Sequence, residues 1–138
     1  MRVSPLSGPE WAVLREQVAT TQAVLRKRYG GTLTQGLDDL ALIQRLVDDK
    51  VYDDTDVEQL RCMGAVVGNV LVKELGFEWK MVEDERGTEA ALERKGPKRT
   101  VMIHPLRLIT GRVAANLPFE VAQIYRDAKA DVARSQVL

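Results

Sequence analysis

Apolar side chains recur every three or four residues through the first half of the chain, then at every second residue from Phe77 onward. That change of period predicts helices followed by a sheet. The first helix should begin at Ser7-Gly8-Pro9-Glu10, where the serine hydroxyl can accept an N–H of the first turn and the glutamate can reach back to the serine N–H. Trp11, Leu14, Val18, Leu25 and Tyr29 then mark one stripe. Arg26-Lys27-Arg28 suits the carbonyl end of the helix dipole, and Gly30-Gly31 stops the helix. A second helix is predicted with Thr34 as its cap and Leu37, Leu40, Ile43 and Val47 on its apolar face, ending near Asp49. A third should start at the capping-box pattern Thr55-Asp56-Val57-Glu58, carry Leu60, Met63, Val67, Val70 and Leu71, and stop at Gly76.

Gly64 and Gly68 stand four residues apart inside that third helix. Each costs a helix about 1 kcal/mol relative to alanine, so something is expected to pack closely into the notch they leave. Another element of the same chain is one occupant, and a second copy in a homodimer is the other.

Beyond Gly76, Phe77, Trp79 and Met81 alternate with Glu78 and Lys80, as a strand with one buried and one wet face requires. Glu83 to Gly87 is turn chemistry, Thr88 to Arg94 reads as a returning strand, Lys95-Gly96-Pro97-Lys98 as a second turn, and Thr100 to Ile103 as a third strand. Pro105 ends the ladder. Leu106, Leu108, Ile109 and Val113 predict a short helix. After Asn116-Leu117-Pro118 comes a last helix carrying Phe119, Ile124, Tyr125, Ala128 and Val132, with Pro118 in its first turn. The expected fold is α+β, with N-terminal helices, a three-stranded antiparallel meander and two C-terminal helices. At 138 residues and 45% apolar it fills one domain, with residues 1–56 as a helical N-terminal part and residues 57–138 as the core.

The charges balance at twenty basic and twenty acidic residues, which leaves no global basic field for nucleic acid, and the basic clusters Arg26-Lys27-Arg28 and Arg94-Lys95 with Lys98-Arg99 lack interleaved aromatics. No run is long enough to span a membrane, the first nine residues contain no apolar signal region, and the single Cys62 can close no disulfide within the chain, so a cytoplasmic protein is expected.

The helix into Leu75-Gly76-Phe77-Glu78-Trp79, the Asp84-Glu85-Arg86-Gly87 turn and the His104-Pro105-Leu106 to Arg112 stretch resemble a bacterial family, the domain of unknown function numbered 3806. The resemblance covers roughly Leu60 to Ala128. It implies an α+β fold and brings no catalytic residue with it.

Candidate chemistry is sparse. His104 and Cys62 are single residues of their kinds without a third catalytic partner at an informative spacing, and one histidine with one cysteine is a poor zinc set. No catalytic residue, metal or cofactor is expected, and the chain is read as no enzyme. The neutral total conceals an acidic pole: residues 31–60 carry eight acidic and two basic side chains, a net of −6. Within it Asp48, Asp49, Asp53, Asp54 and Asp56 suit a recognition surface for a basic partner, with Tyr52 as its desolvated anchor. A calcium loop would need a glycine at its sharp turn, and residues 48–56 have none. The expected function is therefore protein binding, in its most concrete form an immunity protein that occupies the basic cleft of a cognate toxin. The alternative is a small-molecule binder or enzyme with a pocket between the sheet and the C-terminal helices, with His104, Arg107 and Arg112 at its mouth.

Overall fold

The structure is a computed structural model that describes residues 1–116 and 118–137. Its elements are β1 (Arg2–Pro5), α1 (Gly8–Tyr29), α2 (Asp38–Asp48), α3 (Val57–Leu75), β2 (Glu78–Asp84), β3 (Gly87–Lys95), β4 (Thr100–Ile103), α4 (Pro105–Ala114) and α5 (Val121–Ser135). Helices and one antiparallel sheet make an α+β arrangement, with strand order β1-β2-β3-β4.

The predicted meander is β2-β3-β4, but the sheet has a fourth strand. β1 pairs with β2 from Arg2 opposite Glu83 to Pro5 opposite Lys80. Its four residues are exposed apart from a half-buried Ser4, so no apolar alternation announces it. An edge strand pairs on one side only, which is also why it can end in a proline. The alternation holds for Phe77, just ahead of β2, and Trp79 within it, both buried, and then slips. Met81, flanked by the small residues Ser4 and Ala90, is half-buried, while Val82 is 1% exposed.

The capping box of α1 forms. Ser7 N–H donates to Glu10 Oε1 at 2.8 Å and Glu10 N–H to Ser7 Oγ at 3.3 Å. At the other end Gly30 takes the left-handed conformation, φ 66°. The buried face of α1 is Leu14, Gln17, Thr21 and Leu25, and the expected Trp11 is 41% exposed. Helical spacing predicts the stripe, but two polar residues, Gln17 and Thr21, lie inside while the tryptophan of the first turn does not.

Thr34 is not the cap of α2. The N-cap is Leu37, without a side-chain bond, and the anchoring runs the other way. The carboxylate of Asp39, 1% exposed, accepts the Thr34 N–H at 2.9 Å and the Gln35 N–H at 2.8 Å, holding Gln35 at φ 67°. The predicted box at Thr55 also fails to form. The N-cap of α3 is Asp56, whose Oδ2 turns back to accept the Asp53 N–H at 2.9 Å, an alternative that short Asp side chains offer the backbone.

α3 is the central element. Met63, Val66, Val67 and Val70 join Leu25, Ile43, Leu46, Ile109 and Ile124 in an all-helical core, while Ala65 and Leu71 join Phe77, Trp79, Leu92, Val101, Leu106 and Ala128 in a second core under the sheet. The glycine notch is filled from within the chain. A Cβ on Gly64 would lie 2.3 Å from the Pro105 carbonyl oxygen, and one on Gly68 would lie 2.4 Å from the Trp79 ring.

The last helix begins at Val121 rather than at Pro118, so Phe119 is not part of it. Gln44 of α2 explains the delay: its Nε2 donates to the Phe119 carbonyl at 3.2 Å and its Oε1 accepts the Val121 N–H at 2.7 Å, which satisfies the start of α5 from a neighbouring helix. Leu117, within the predicted turn, lies outside the described residues.

Candidate functional site

Residues 49–56 join α2 to α3 as a loop that uses some of its carboxylates on itself. Asp53 Oδ1 accepts the Thr55 N–H at 2.8 Å, and this bonding, led by the Thr55 hydroxyl, holds its carboxyl below the usual aspartate range. Asp56 closes the loop on Asp53 N–H. Asp49 accepts the Tyr29 hydroxyl, and the Arg45 guanidinium lies 3.9 Å from the centre of the Tyr29 ring, so this end of the acidic pole is tied to α1. Asp48 takes one bond, from Gln44 Nε2 at 2.9 Å. The loop's internal bonds run through Asp53 and Asp56, none through Asp54.

Four of the six predicted partner-binding residues line one groove. Asp48, Tyr52, Asp53 and Asp54 face Val113, Asn116 and Phe119 across a space of about 630 Å³. Asp49 and Asp56 do not line it. Tyr52 is half-buried against the helical core; burial, then the nearby Cys62 and Asp56, push its hydroxyl pKa up, against an opposing pull from Arg28. The expected exposed anchor is thus a groove wall that leaves only part of its ring accessible.

A second groove, about 870 Å³, runs between α2 and α5. Leu37, Ala41, Phe119, Ala122 and Tyr125 make its apolar surface. The two grooves meet at Asp48, Pro118 and Phe119. Sequence reasoning misses these walls for identifiable reasons: Ala41 and Ala122 are ordinary helix-surface alanines, and the apolar spacing places Phe119 on the last helix. The signal available was Leu37, a leucine just ahead of the helix that the structure leaves 46% exposed.

The pocket expected between the sheet and the C-terminal helices is not among the described grooves. Leu92 and Val101 from the sheet meet Leu106 of α4 and Ala128 of α5 there and fill the space. Nor do His104, Arg107 and Arg112 share a mouth. Glu89, on β3, pairs with His104 Nδ1 at 3.1 Å, with Arg61 at 3.5 Å and with the Arg107 guanidinium, which also reaches Asp84 at 3.8 Å. Arg112 instead donates to the Leu108 carbonyl and stacks 5.8 Å from the Phe119 ring centre. Burial, then Glu58, push the Cys62 thiol pKa up, with Arg61 opposing, so it stays protonated and a poor nucleophile at neutral pH. Among the described residues no three His, Cys, Asp or Glu side chains converge as a metal site would need, and no helix is long and apolar enough to cross a membrane.

Two arginines of the second basic cluster have structural partners. Arg94 Nε donates to the Leu75 carbonyl at 2.8 Å at the end of α3, and Arg99 donates to the Asp131 carbonyl at 3.4 Å.

Comparison with known proteins bears on the fold. A crystal structure of a protein from Bacteroides thetaiotaomicron VPI-5482 superposes with a TM-score of 0.81 at 23% identity, over 92% of this chain and 46% of that one. At that identity the likeness establishes the fold alone, and this chain spans about half of that protein's length. No curated protein matches. The family match begins at α2 and so takes in the acidic loop, which the resemblance read from sequence had placed outside it. With residues 39–125 matching its model, the chain belongs to the family described as Domain of unknown function (DUF3806).

Proposed function

We propose that this protein is a non-enzymatic binding domain that recognises a basic protein partner at the groove edged by Asp48, Asp53 and Asp54, and that it acts in the cytoplasm as an immunity protein, neutralising a toxin by covering its basic cleft. The observation that carries this reading is the placement of those carboxylates with Tyr52 on one concave surface, where Lys50 is the single cationic lining residue among the described residues. Such a surface steers a basic partner and selects against acidic ones, while the partly accessible apolar walls supply the desolvated centre that charges alone do not. The enzymatic alternative has less support, since His104 and Arg107 are engaged by Glu89 and the thiol is held protonated.

The test is capture from the native host with wild-type and Asp48→Asn/Asp54→Asn baits. One protein with a basic surface, retained by the wild type, lost from the variant and inhibited by the wild type in its own toxic activity, is the expected result. Equal capture by both baits would overturn the assignment of the surface.

A further inference from the structure

The two grooves meet at a ridge formed by Asp48, Pro118 and Phe119, and they differ in chemistry. Between α2 and α5 the surface is apolar, with Leu37 46% exposed at one end. Of the charged groups beside it, Arg126 is paired with Glu120, whereas Asp48 takes only a neutral amide bond from Gln44 and keeps its charge for the edge it shares with the second groove. Across the ridge the edge is acidic, with Asp54 taking no part in the loop's internal bonding.

An occupant has to satisfy both halves. An anionic membrane or a nucleic acid would be repelled at Asp48, Asp53 and Asp54. A purely apolar ligand would fill only the α2–α5 groove, and a partner offering only charges would leave Leu37 and Phe119 wet. A polypeptide segment that places a large apolar side chain within a few residues of a lysine or arginine matches both, because successive side chains of an extended segment are about 3.3 Å apart along its axis and reach both grooves from one strand of chain.

We propose that the grooves form one track for such a segment of the partner: an aliphatic or aromatic anchor seats between α2 and α5, and the following basic side chain crosses the Phe119 ridge to Asp48 and Asp54. This rests on the protein-binding reading above and names the chemistry of its partner. The anchor supplies most of the affinity, and the basic residue sets the direction of the segment and the salt dependence.

The experiment selects short random linear peptides displayed on phage against the full chain, with sedimentation recording its oligomeric state. Ala41 is exposed on α2, so Ala41→Arg blocks the apolar groove without disturbing the core, and thermal melts verify that it folds. Enriched peptides are expected to combine a large apolar residue with a nearby lysine or arginine. A synthetic copy of one should bind Ala41→Arg about 30-fold or more weakly, and Asp54→Asn a few-fold more weakly at low salt. No enrichment, enrichment of peptides without a basic residue, or a dimer that Ala41→Arg abolishes would each overturn the track. Natural-partner capture that needs Asp54 but is indifferent to Ala41→Arg would also overturn it, and would leave the protein-binding reading standing.

Discussion

The ring of Trp79 occupies the space that a side chain on Gly68 would need: a Cβ there would lie 2.4 Å from the ring carbon Cζ2. The indole N–H is fixed one residue further on, donating to Asn69 Oδ1 at 2.9 Å. Strand β2 and helix α3 are therefore keyed together by one aromatic side chain. Trp79→Ala should cost about 3–5 kcal/mol. Gly68→Ala should cost about 1–3 kcal/mol by overpacking, despite its better helix propensity. In urea melts the double variant should lose less than the sum of the two, since the new methyl enters the space the ring vacates. Additive losses would mean that the two residues are not in contact.

Asp39 is the second test of the architecture. Its carboxylate is 1% exposed and satisfies the backbone N–H groups of Thr34 and Gln35. Asp39→Ala leaves both donors without that partner and should destabilise by about 1–3 kcal/mol. An unchanged denaturation midpoint would show that water replaces the carboxylate at no cost and that the loop is not held by it.

Alkaline pH probes the wall of the acidic groove. Tyr52 and Cys62 both have raised pKa values, each chiefly through burial. The folded chain then holds these protons more tightly than the unfolded one. Their contribution to stability is fully present below the ordinary thiol and phenol values of about 8.5 and 10 and is lost as pH rises through the raised folded values. Tyr52→Phe with Cys62→Ala should flatten the fall of the denaturation midpoint over that range. A fall as steep as that of the wild type would place the responsible groups elsewhere.

Much of the fold could be read from the chain because its strongest signals are local. The Ser7–Glu10 box, the left-handed stop at Gly76 and the notch at Gly64 and Gly68 each depend on a few neighbouring residues or on the absence of a side chain. What was missed depends on distant partners. β1 exists because β2 offers an edge, and α5 starts late because Gln44 binds Phe119 and Val121 from α2. The same division runs through the site. Composition revealed the acidic pole, but only the folded loop separates Asp53 and Asp56, engaged in its turns, from Asp54. The apolar groove is assembled from α2 and α5, far apart in sequence, so neither segment shows it alone.

If the acidic edge is the recognition surface, association kinetics with the captured partner at low ionic strength will register the loss of its charges. Asp48→Asn/Asp54→Asn removes two charges while sparing the Asp53 and Asp56 bonds that shape the loop. The association rate should fall and its dependence on salt should weaken, Tyr52→Ala should mainly speed dissociation, and His104→Gln should change neither rate by more than a few-fold. An association rate and salt dependence identical to those of the wild type would move the interface to another face of the protein.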